Sequence, residues 1–288
     1  MRNAVDADPR GPANDAAAAR DPAAATAGAT LLAENVHVQL GGVTVVDGVD
    51  LVLRPGEWTA LVGPNGAGKS SLVSALSGVR APVAGRVRVR TGAGARAREL
   101  VPGDRDWART VSWLAQAGEA DGDIGVRDVV RLGRLPHHGV FGAPGPADEA
   151  AVRDAMRETG VEDLGARRLR ALSGGERQRV LLARALAVGA PVMLMDEPAT
   201  HLDAPHQQSL VRAVRRHAAR GGAALTVLHD LTQALMADVL VVLVAGRIVA
   251  QGARDDTRLH REIEAAFDHA FTIGHVGAQG RWVAVPQW

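Results

Sequence analysis

The chain of 288 residues carries 33 lysines and arginines against 32 acidic residues, so its formal charge of +1 gives no reason to expect a nucleic acid or an anionic membrane as partner. The absence of cysteine excludes disulfides and thiolate metal sites, and it is compatible with the reducing cytoplasm. The longest clean apolar run, 239–245, is far shorter than the roughly 20 residues of a transmembrane helix.

Residues 1–29 are predicted to form a disordered, alanine-rich tail. Aspartates and prolines interrupt the alanines, and the segment has too few large apolar side chains to bury. It also lacks the continuous apolar core of a signal peptide. The folded domain is therefore expected to extend over residues 30–288.

Short apolar strands follow the tail. The segments "NVHVQL" and "VTVVDGVDLVL" are separated by Gly41 and Gly42, which predicts an antiparallel hairpin. "RVRVR", residues 86–90, alternates with the period of a strand and is assigned to the same sheet. Four other segments are continuously apolar, as is typical of strands covered on both faces. They are "WTALVG" at 58–63, "VMLMD" at 192–196, "ALTVLH" at 224–229 and "VLVVLV" at 239–244.

Helical stretches lie between several of these strands, at 69–76 and 204–220, and the alternation predicts a mainly parallel α/β core. Residues from about 118 to 178 read as helices without a strand, which predicts a helical subdomain inserted in this core. Its three predicted helices are "VRDVVRLGR", "DEAAVRDAMRETG" and "VEDLGARRLRAL". A C-terminal extension, about 254–288, contains a predicted helix, "HREIEAAFDHAF", and a predicted strand, "RWVAV".

A glycine-rich loop, "GPNGAGKSS", follows a predicted strand and precedes a predicted helix, in the pattern G-x-x-x-x-G-K-[ST]. Its glycines let successive backbone N–H groups point into one concavity that holds phosphate oxygens. Lys69 is expected to reach the terminal phosphates, and the Ser70 hydroxyl to ligate Mg²⁺. The predicted nucleotide-binding residues of this phosphate loop are Gly63, Pro64, Asn65, Gly66, Ala67, Gly68, Lys69, Ser70 and Ser71. The loop alone leaves kinases, GTPases and ATPases as alternatives.

The segment "LSGGERQRV", residues 172–180, resembles the signature motif of the ATP-binding cassette (ABC) family. The resemblance implies that Ser173, Gly174 and Gly175 start a helix and bind ATP held by a second copy of the protein, in keeping with anion binding at helix N-termini. A local role is the alternative, because Ser173 and Glu176 have the spacing of a capping box. The two roles are compatible.

Further segments on both sides of this motif occur along the chain in the order that is typical of the ABC family. "VMLMDE" resembles Walker B, which implies that Asp196 holds Mg²⁺ and that Glu197 is the general base. Asp203 ends the D-loop "THLD", through which two copies would communicate, and His229 in "VLHD" takes the place of the switch histidine. Gln116 in "VSWLAQ" corresponds to the Q-loop glutamine, which links the core to the helical subdomain. The implied catalytic residues are Lys69, Gln116, Glu197 and His229, and the implied metal ligands are Ser70, Gln116 and Asp196.

The resemblance covers about residues 31–252. It implies an α/β fold with a P-loop NTPase (RecA-like) core, an antiparallel β subdomain and an inserted helical signature subdomain, which together make residues 30–288 an ABC nucleotide-binding domain. One departure is Leu40, which stands where the family usually stacks adenine on an aromatic ring. Such stacking contributes about 1–3 kcal/mol, so we expect weaker ATP binding or poorer base discrimination unless Trp58 or another group substitutes. Ala199, where the family commonly has threonine, is expected to have little effect.

Two segments resemble the ATPases of iron-siderophore, haem and cobalamin importers: "VRDVVRLGRLPHHG" at 126–139 and "HLDAPHQ" at 201–207. The first also has a purely structural interpretation, as an amphipathic helix that buries Val126, Val129 and Val130 together with Gly133. Two alternatives to chelate import stay open at this point. They are a soluble single-cassette ABC ATPase that acts on a protein complex, and an importer for another substrate.

The resemblance implies a head-to-tail dimer with two ATP molecules and Mg²⁺, each ATP lying between Lys69 of one copy and Ser173 of the other. It also implies separate permease subunits as partners, and indirectly an extracytoplasmic substrate-binding protein. The expected location is the cytoplasmic face of the plasma membrane.

Overall fold

The computed structural model describes residues 28–92, 97–116, 123–277 and 280–287. The predicted tail lies outside these ranges except for residues 28 and 29, as do residues 118–122 of the predicted helical subdomain. The strands are β1 (Thr30–Leu40), β2 (Val43–Leu53), β3 (Trp58–Val62), β4 (Ala84–Thr91), β5 (Arg98–Leu100), β6 (Val111–Leu114), β7 (Val192–Asp196), β8 (Ala223–Val227), β9 (Val239–Val244), β10 (Arg247–Ala253), β11 (Phe271–Val276) and β12 (Arg281–Pro286). The α-helices are α1 (Lys69–Leu76), α2 (Trp107–Thr110), α3 (Val126–Arg131), α4 (Leu135–His138), α5 (Pro146–Thr159), α6 (Gly174–Ala187), α7 (Ala204–Ala219), α8 (Leu231–Ala234) and α9 (Thr257–Ala266).

The central sheet has the strand order β10-β9-β3-β8-β7-β6. Its strands pair in parallel except for β10, which is antiparallel to β9. Strands β3, β7 and β8 are buried along their whole length, as their continuous apolar sequences predicted. The mainly parallel α/β core is therefore confirmed. Because β3, β8, β7 and β6 are neighbours, the segments that follow their carboxyl ends meet at one edge of the sheet.

A second sheet, of order β2-β1-β4-β5, is antiparallel throughout. The predicted hairpin is confirmed, with Leu40 opposite Val43 in the register and the turn at Gly41 and Gly42. Both turn glycines have positive φ, 55° and 83°, a conformation that other residues adopt with strain. Gly68 of the phosphate loop lies against β2, where an added Cβ would approach the Val45 carbonyl oxygen to 2.2 Å.

Helices α3, α5 and α6 pack together beside the central sheet. Val126, Val129 and Val130 are buried, as the amphipathic pattern predicted. Gly133 is buried too, and it packs so closely on α6 that an added Cβ would lie 2.3 Å from the Arg184 carbonyl oxygen. These residues form the inner face of the helical region.

The predicted helix "VEDLGARRLRAL" is wrong. The segment forms only two short 3-10 turns, Glu162–Leu164 and Leu169–Ala171. Between them, the Arg167 carbonyl accepts the N–H of Val126, and the N–H of Leu169 donates to the Ile124 carbonyl. The backbone of this segment therefore bonds partly to the start of α3 and partly within its own short turns, so no continuous α-helix forms.

The C-terminal extension consists of α9 and the antiparallel hairpin β11–β12. The predicted helix is correct in its first half but ends at Ala266, because Asp268 and His269 have φ of 52° and 57°. The predicted strand is confirmed as β12. Leu259 and Ile263 of α9 are buried in the same core as the central sheet. The extension thus packs onto the core.

Candidate nucleotide-binding and catalytic site

The phosphate loop joins β3 to α1 in the strand, loop, helix order that its sequence predicted. Lys69, the first residue of α1, is buried, and its ammonium group donates to the carbonyl oxygens of Gly63 at 2.8 Å and Pro64 at 2.9 Å. A Cβ at Gly63 would lie only 2.0 Å from the Leu243 carbonyl oxygen. The loop is therefore held closely by its own lysine and by neighbouring backbone, while Asn65 and Gly66 at its tip are exposed.

Two acidic side chains at the end of β7 face this lysine. Burial lowers the pKa of the Lys69 ammonium, and the carboxylates of Glu197 and Asp196 oppose that shift. Burial raises the pKa of the Asp196 carboxyl, and the Ser70 hydroxyl acts against it. Oδ1 of Asp196 is buried without a hydrogen-bond partner among the described residues. An unpaired carboxylate oxygen beside a hydroxyl is a donor set that suits Mg²⁺.

Glu197 lies between two side chains that come from other strand ends. His229 Nε2, after β8, is 2.6 Å from Oε1 of Glu197, and Gln116 Nε2, after β6, donates to Oε2 at 3.0 Å. Glu197 itself has φ of 50°, a conformation that is uncommon for a residue with a side chain. The structure thus brings together Gln116, Glu197 and His229, which are far apart in the sequence.

Ser173 is the N-cap of α6. Its N–H donates to Oε2 of Glu176 at 2.8 Å and its hydroxyl accepts the Glu176 N–H at 3.3 Å, so the capping box is confirmed. A Cβ at Gly175 would lie 2.9 Å from the His201 carbonyl oxygen, and a Cβ at Gly174 would contact the His201 side chain. The signature turn therefore packs against the D-loop of its own chain, with Ser173 and Gly174 exposed.

Asp203 caps the next helix. Its carboxylate accepts the His206 N–H at 3.1 Å and pairs with the His206 ring, and the backbone hydrogen bond from His206 lowers its pKa. Sequence reasoning missed His206 as a partner, although a residue three positions after an aspartate N-cap is where such a contact is expected.

Trp58 does not provide a surface for a nucleotide base, so it is not a substitute for the missing aromatic ring. The side chain is 2% exposed, and its indole N–H donates to the Thr226 hydroxyl at 2.8 Å inside the sheet. Leu40, by contrast, is 39% exposed, next to Val43 at 64%. The surface at this turn is therefore aliphatic.

The model of the ABC transporter family matches residues 46–200, from the second strand through the phosphate loop, the signature and the first residue of the D-loop. The chain belongs to the ABC transporter family. The ABC cassette fold accounts for the presence of the phosphate loop, the signature helix and the residues after β6, β7 and β8. The family assignment made from the motifs is thereby confirmed.

Relatives of this ABC protein have names that refer to import. The hemin import ATP-binding protein HmuV of Streptomyces coelicolor is 40% identical over 266 residues, which is 92% of each chain. The ferric enterobactin transport ATP-binding protein FepC of Escherichia coli K12 is 38% identical over 227 residues, 78% of this chain and 82% of that one. The cobalamin import ATP-binding protein BtuD of Halobacterium salinarum is 40% identical over 266 residues, 89% of this chain, which spans only 63% of that relative.

Solved structures share the fold of this ABC protein. One is an inward-facing transporter described as being of the metal-chelate type, with a TM-score of 0.73 and 22% identity over 90% of this chain and 98% of that chain. Another is a dimeric bacterial ABC transporter cassette, with a TM-score of 0.67 and 20% identity over 78% and 99%. Within the part of the chain that the structure describes, no helix is both long and apolar enough to cross a membrane.

Proposed function

We propose that this chain is the ATP-hydrolysing subunit of an ABC importer, which couples ATP binding and hydrolysis to uptake of a metal chelate through separate permease subunits. The observation that supports hydrolysis best is the Glu197 carboxylate, which Gln116 and His229 hold beside the phosphate loop. A carboxylate that is fixed next to bound phosphates is placed to act as a general base.

In the proposed reaction, ATP phosphates occupy the concavity of the loop, and Lys69 exchanges its bonds to Gly63 and Pro64 for bonds to phosphate oxygens. Glu197 takes a proton from a water molecule while the water oxygen bonds to the γ-phosphorus. The bond from that phosphorus to the bridging oxygen breaks, which releases ADP and phosphate. His229 keeps Glu197 oriented during this step.

Ser70, Asp196 and the side-chain oxygen of Gln116 would hold Mg²⁺. When bound, the ion would neutralise charge on the phosphates. The unpaired, buried Oδ1 of Asp196 supports this assignment, because an isolated buried carboxylate oxygen is unfavourable without a cation or a donor.

The proposal includes a head-to-tail dimer, in which Ser173, Gly174 and Gly175 of one copy contact ATP held by Lys69 of the other. Exposure of Ser173 and Gly174 at the start of a 14-residue helix supports this role, since the N-terminus of a helix attracts anions. Asp203, exposed at the end of the D-loop, would contact the second copy.

The names of the relatives support hemin, a ferric siderophore or cobalamin as the imported compound. The proposed partners are permease subunits and, indirectly, an extracytoplasmic substrate-binding protein, with the cassette on the cytoplasmic face of the plasma membrane. We further propose that residues 30–288 are one nucleotide-binding domain, with a helical subdomain at about 118–178.

The deciding experiment is uptake of labelled haem, ferric siderophore and cobalamin by a deletion strain that carries either the wild-type chain or Glu197→Gln. Restoration of uptake of one chelate by the wild type alone, with a polytopic permease in the purified complex, is the expected result. If the chain co-purifies with soluble proteins only, and the deletion strain takes up all three chelates normally, a soluble ABC ATPase would be favoured instead.

A further inference from the structure

Two glutamine side chains connect the D-loop with the short helix after the switch histidine. Gln233 Nε2, on α8, donates to Oε1 of Gln207 at 2.7 Å, and Gln207 Nε2, on α7, donates to the Leu202 carbonyl oxygen at 3.0 Å. Both bonds are partly buried. The Gln207–Gln233 pair therefore forms a continuous chain of hydrogen bonds from α8 to the backbone of the D-loop.

At the α8 end, this series of hydrogen bonds lies close to His229 in the sequence. Asp230 is the next residue, and its Oδ1 accepts the backbone N–H groups of Thr232 at 2.8 Å and Gln233 at 3.2 Å. The backbone of Gln233 is thereby fixed relative to the residue that carries the switch imidazole.

The other end is tied to the segment between Glu197 and Asp203. The N–H of Leu202 bonds to the Ala199 carbonyl, and Gln207 N–H bonds to the Asp203 carbonyl. Leu202 is buried, which holds its carbonyl oxygen in place. A displacement of the D-loop would therefore move the hydrogen-bond acceptor of Gln207.

A cavity of about 160 Å³ lies at the same place. The residues around it include Glu197, Thr200, Gln207, His229, Asp230 and Gln233. Two hydrogen bonds between side chains join the lining residues across this cavity: Gln233 to Gln207, and His229 to Glu197. The glutamine pair therefore lies beside the contact between the switch histidine and the proposed base. A second link between α7 and the end of α8, from Arg215 to the Met236 carbonyl at 3.0 Å, is exposed and lies beyond the residues that line the cavity.

We propose that Gln207 and Gln233 are positioning residues, which hold the D-loop and the switch histidine at a fixed distance from each other. A displacement of one segment therefore changes the position of the other. A glutamine suits this role because one amide accepts and donates at the same time. The Gln207 amide acts both as acceptor and as donor, and consecutive hydrogen bonds of this kind strengthen each other. The inference rests on the proposed ATPase function.

The test compares Gln233→Met and Gln207→Met with Gln208→Met. Methionine keeps much of the side-chain volume but cannot form the hydrogen bonds of the amide. Gln208 is an exposed neighbour on the same helix, and its side chain has no hydrogen bond with the described residues. We expect kcat for ATP to fall about three- to tenfold in the first two variants, with KM unchanged. The melting temperature should fall by only a few degrees, so that the variants stay folded at the assay temperature. The double variant should lose no more than either single variant, since both changes break one connection. Gln208→Met should match the wild type.

A second measurement does not depend on hydrolysis. The imidazole NMR resonances of His229, assigned through a His229→Gln variant, should shift in Gln233→Met and Gln207→Met but not in Gln208→Met. Unchanged His229 resonances, unchanged kcat, or a fall in kcat that only matches the fraction of unfolded protein at the assay temperature would each overturn the positioning role. A wild-type protein without ATPase activity would instead contradict the proposed function, and the resonances would then decide the positioning role alone.

Discussion

Nε2 of His229 lies 2.6 Å from Oε1 of Glu197, across the carboxyl ends of β8 and β7. Gln116 occupies the other carboxylate oxygen, so both oxygens of Glu197 have a partner. This arrangement fixes the orientation of the side chain that we assign as the base.

Glu197→Gln should lower kcat by about 10²- to 10⁴-fold, because the amide cannot accept the proton from the attacking water. ATP should still bind, since the phosphate loop is intact. Phosphate release at saturating ATP and Mg²⁺, together with equilibrium binding of ATP, measures both effects. Glu262→Gln, at an exposed position on α9, is the control. Hydrolysis at the wild-type rate in Glu197→Gln would show that another group is the base.

Lys69→Ala should weaken ATP binding itself by about 10- to 100-fold, which corresponds to loss of a hydrogen bond to a charged group. Lys69 is also the single lysine in the sequence, so its side chain is the one site besides the N-terminus for amine-selective labelling. Mass spectrometry of the labelled peptide should show protection of Lys69 by ATP. Strong labelling of Lys69 that ATP leaves unchanged, or tight ATP binding by Lys69→Ala, would contradict the phosphate role.

Ser173→Arg should leave ATP binding by the single chain nearly intact and abolish hydrolysis, because the arginine would block the approach of a second copy. A mixture of Ser173→Arg with Lys69→Ala should recover part of the activity. In the mixed dimer, the intact loop of the first variant faces the intact signature of the second. Absence of recovery in mixtures that do form dimers would indicate that each chain completes its own site.

Leu40→Tyr should tighten ATP binding by up to about 1–3 kcal/mol, if the base lies on the aliphatic turn beside Val43. Competition binding of ATP and GTP to the variant and the wild type measures affinity and base preference. Val52→Tyr, on an exposed strand position that does not belong to this turn, is the control. An equal effect in both variants would place the base elsewhere.

Stability should fall as the pH decreases from about 7 to 5.5. Burial lowers the pKa of His217, against a weaker backbone hydrogen bond to Ala223, whereas the unfolded chain takes up a proton near the ordinary histidine pKa of about 6.5. As the pH falls below about 6.5, the unfolded chain binds more protons than the folded protein, so the free energy of unfolding decreases. His217→Gln should flatten the dependence of melting temperature on pH, while His269→Gln at an exposed position should not.

His137 acts in the same direction, since burial also lowers its pKa, and some pH dependence should persist in His217→Gln. A slope that is identical in the wild type and in His217→Gln would show that other groups account for the acid lability.

The sequence predicted best where a physical requirement falls on adjacent residues. The phosphate loop needs glycines, a lysine and a hydroxyl in one run, and the structure has Gly63 and Gly68 against backbone that leaves no room for a Cβ. Buried parallel strands were predictable for a similar reason, because burial on both faces requires a continuous apolar segment.

A prediction from the sequence failed where hydrogen bonds to a distant part of the backbone determine the local structure. Arg167 and Leu169 bond to the segment that starts α3, so a locally helical sequence forms 3-10 turns. Trp58 is a different case, because it begins a strand that was predicted to be covered on both faces, and the sheet buries it next to Thr226. Its burial therefore followed from the sequence, and a contact with the base did not.

By itself the sequence determined the α/β core, the family and the residue types that chemistry at phosphate requires, since these depend on local periodicity and short spacings. Only the tertiary structure decided that Glu197 has both oxygens occupied and that Gln207 meets Gln233. It also decided that Oδ1 of Asp196 has no hydrogen-bond partner among the residues that the structure describes. Those contacts join segments from neighbouring strand ends. Strand order sets which ends are neighbours, and glutamines in ordinary helical positions give no sign of it in the chain.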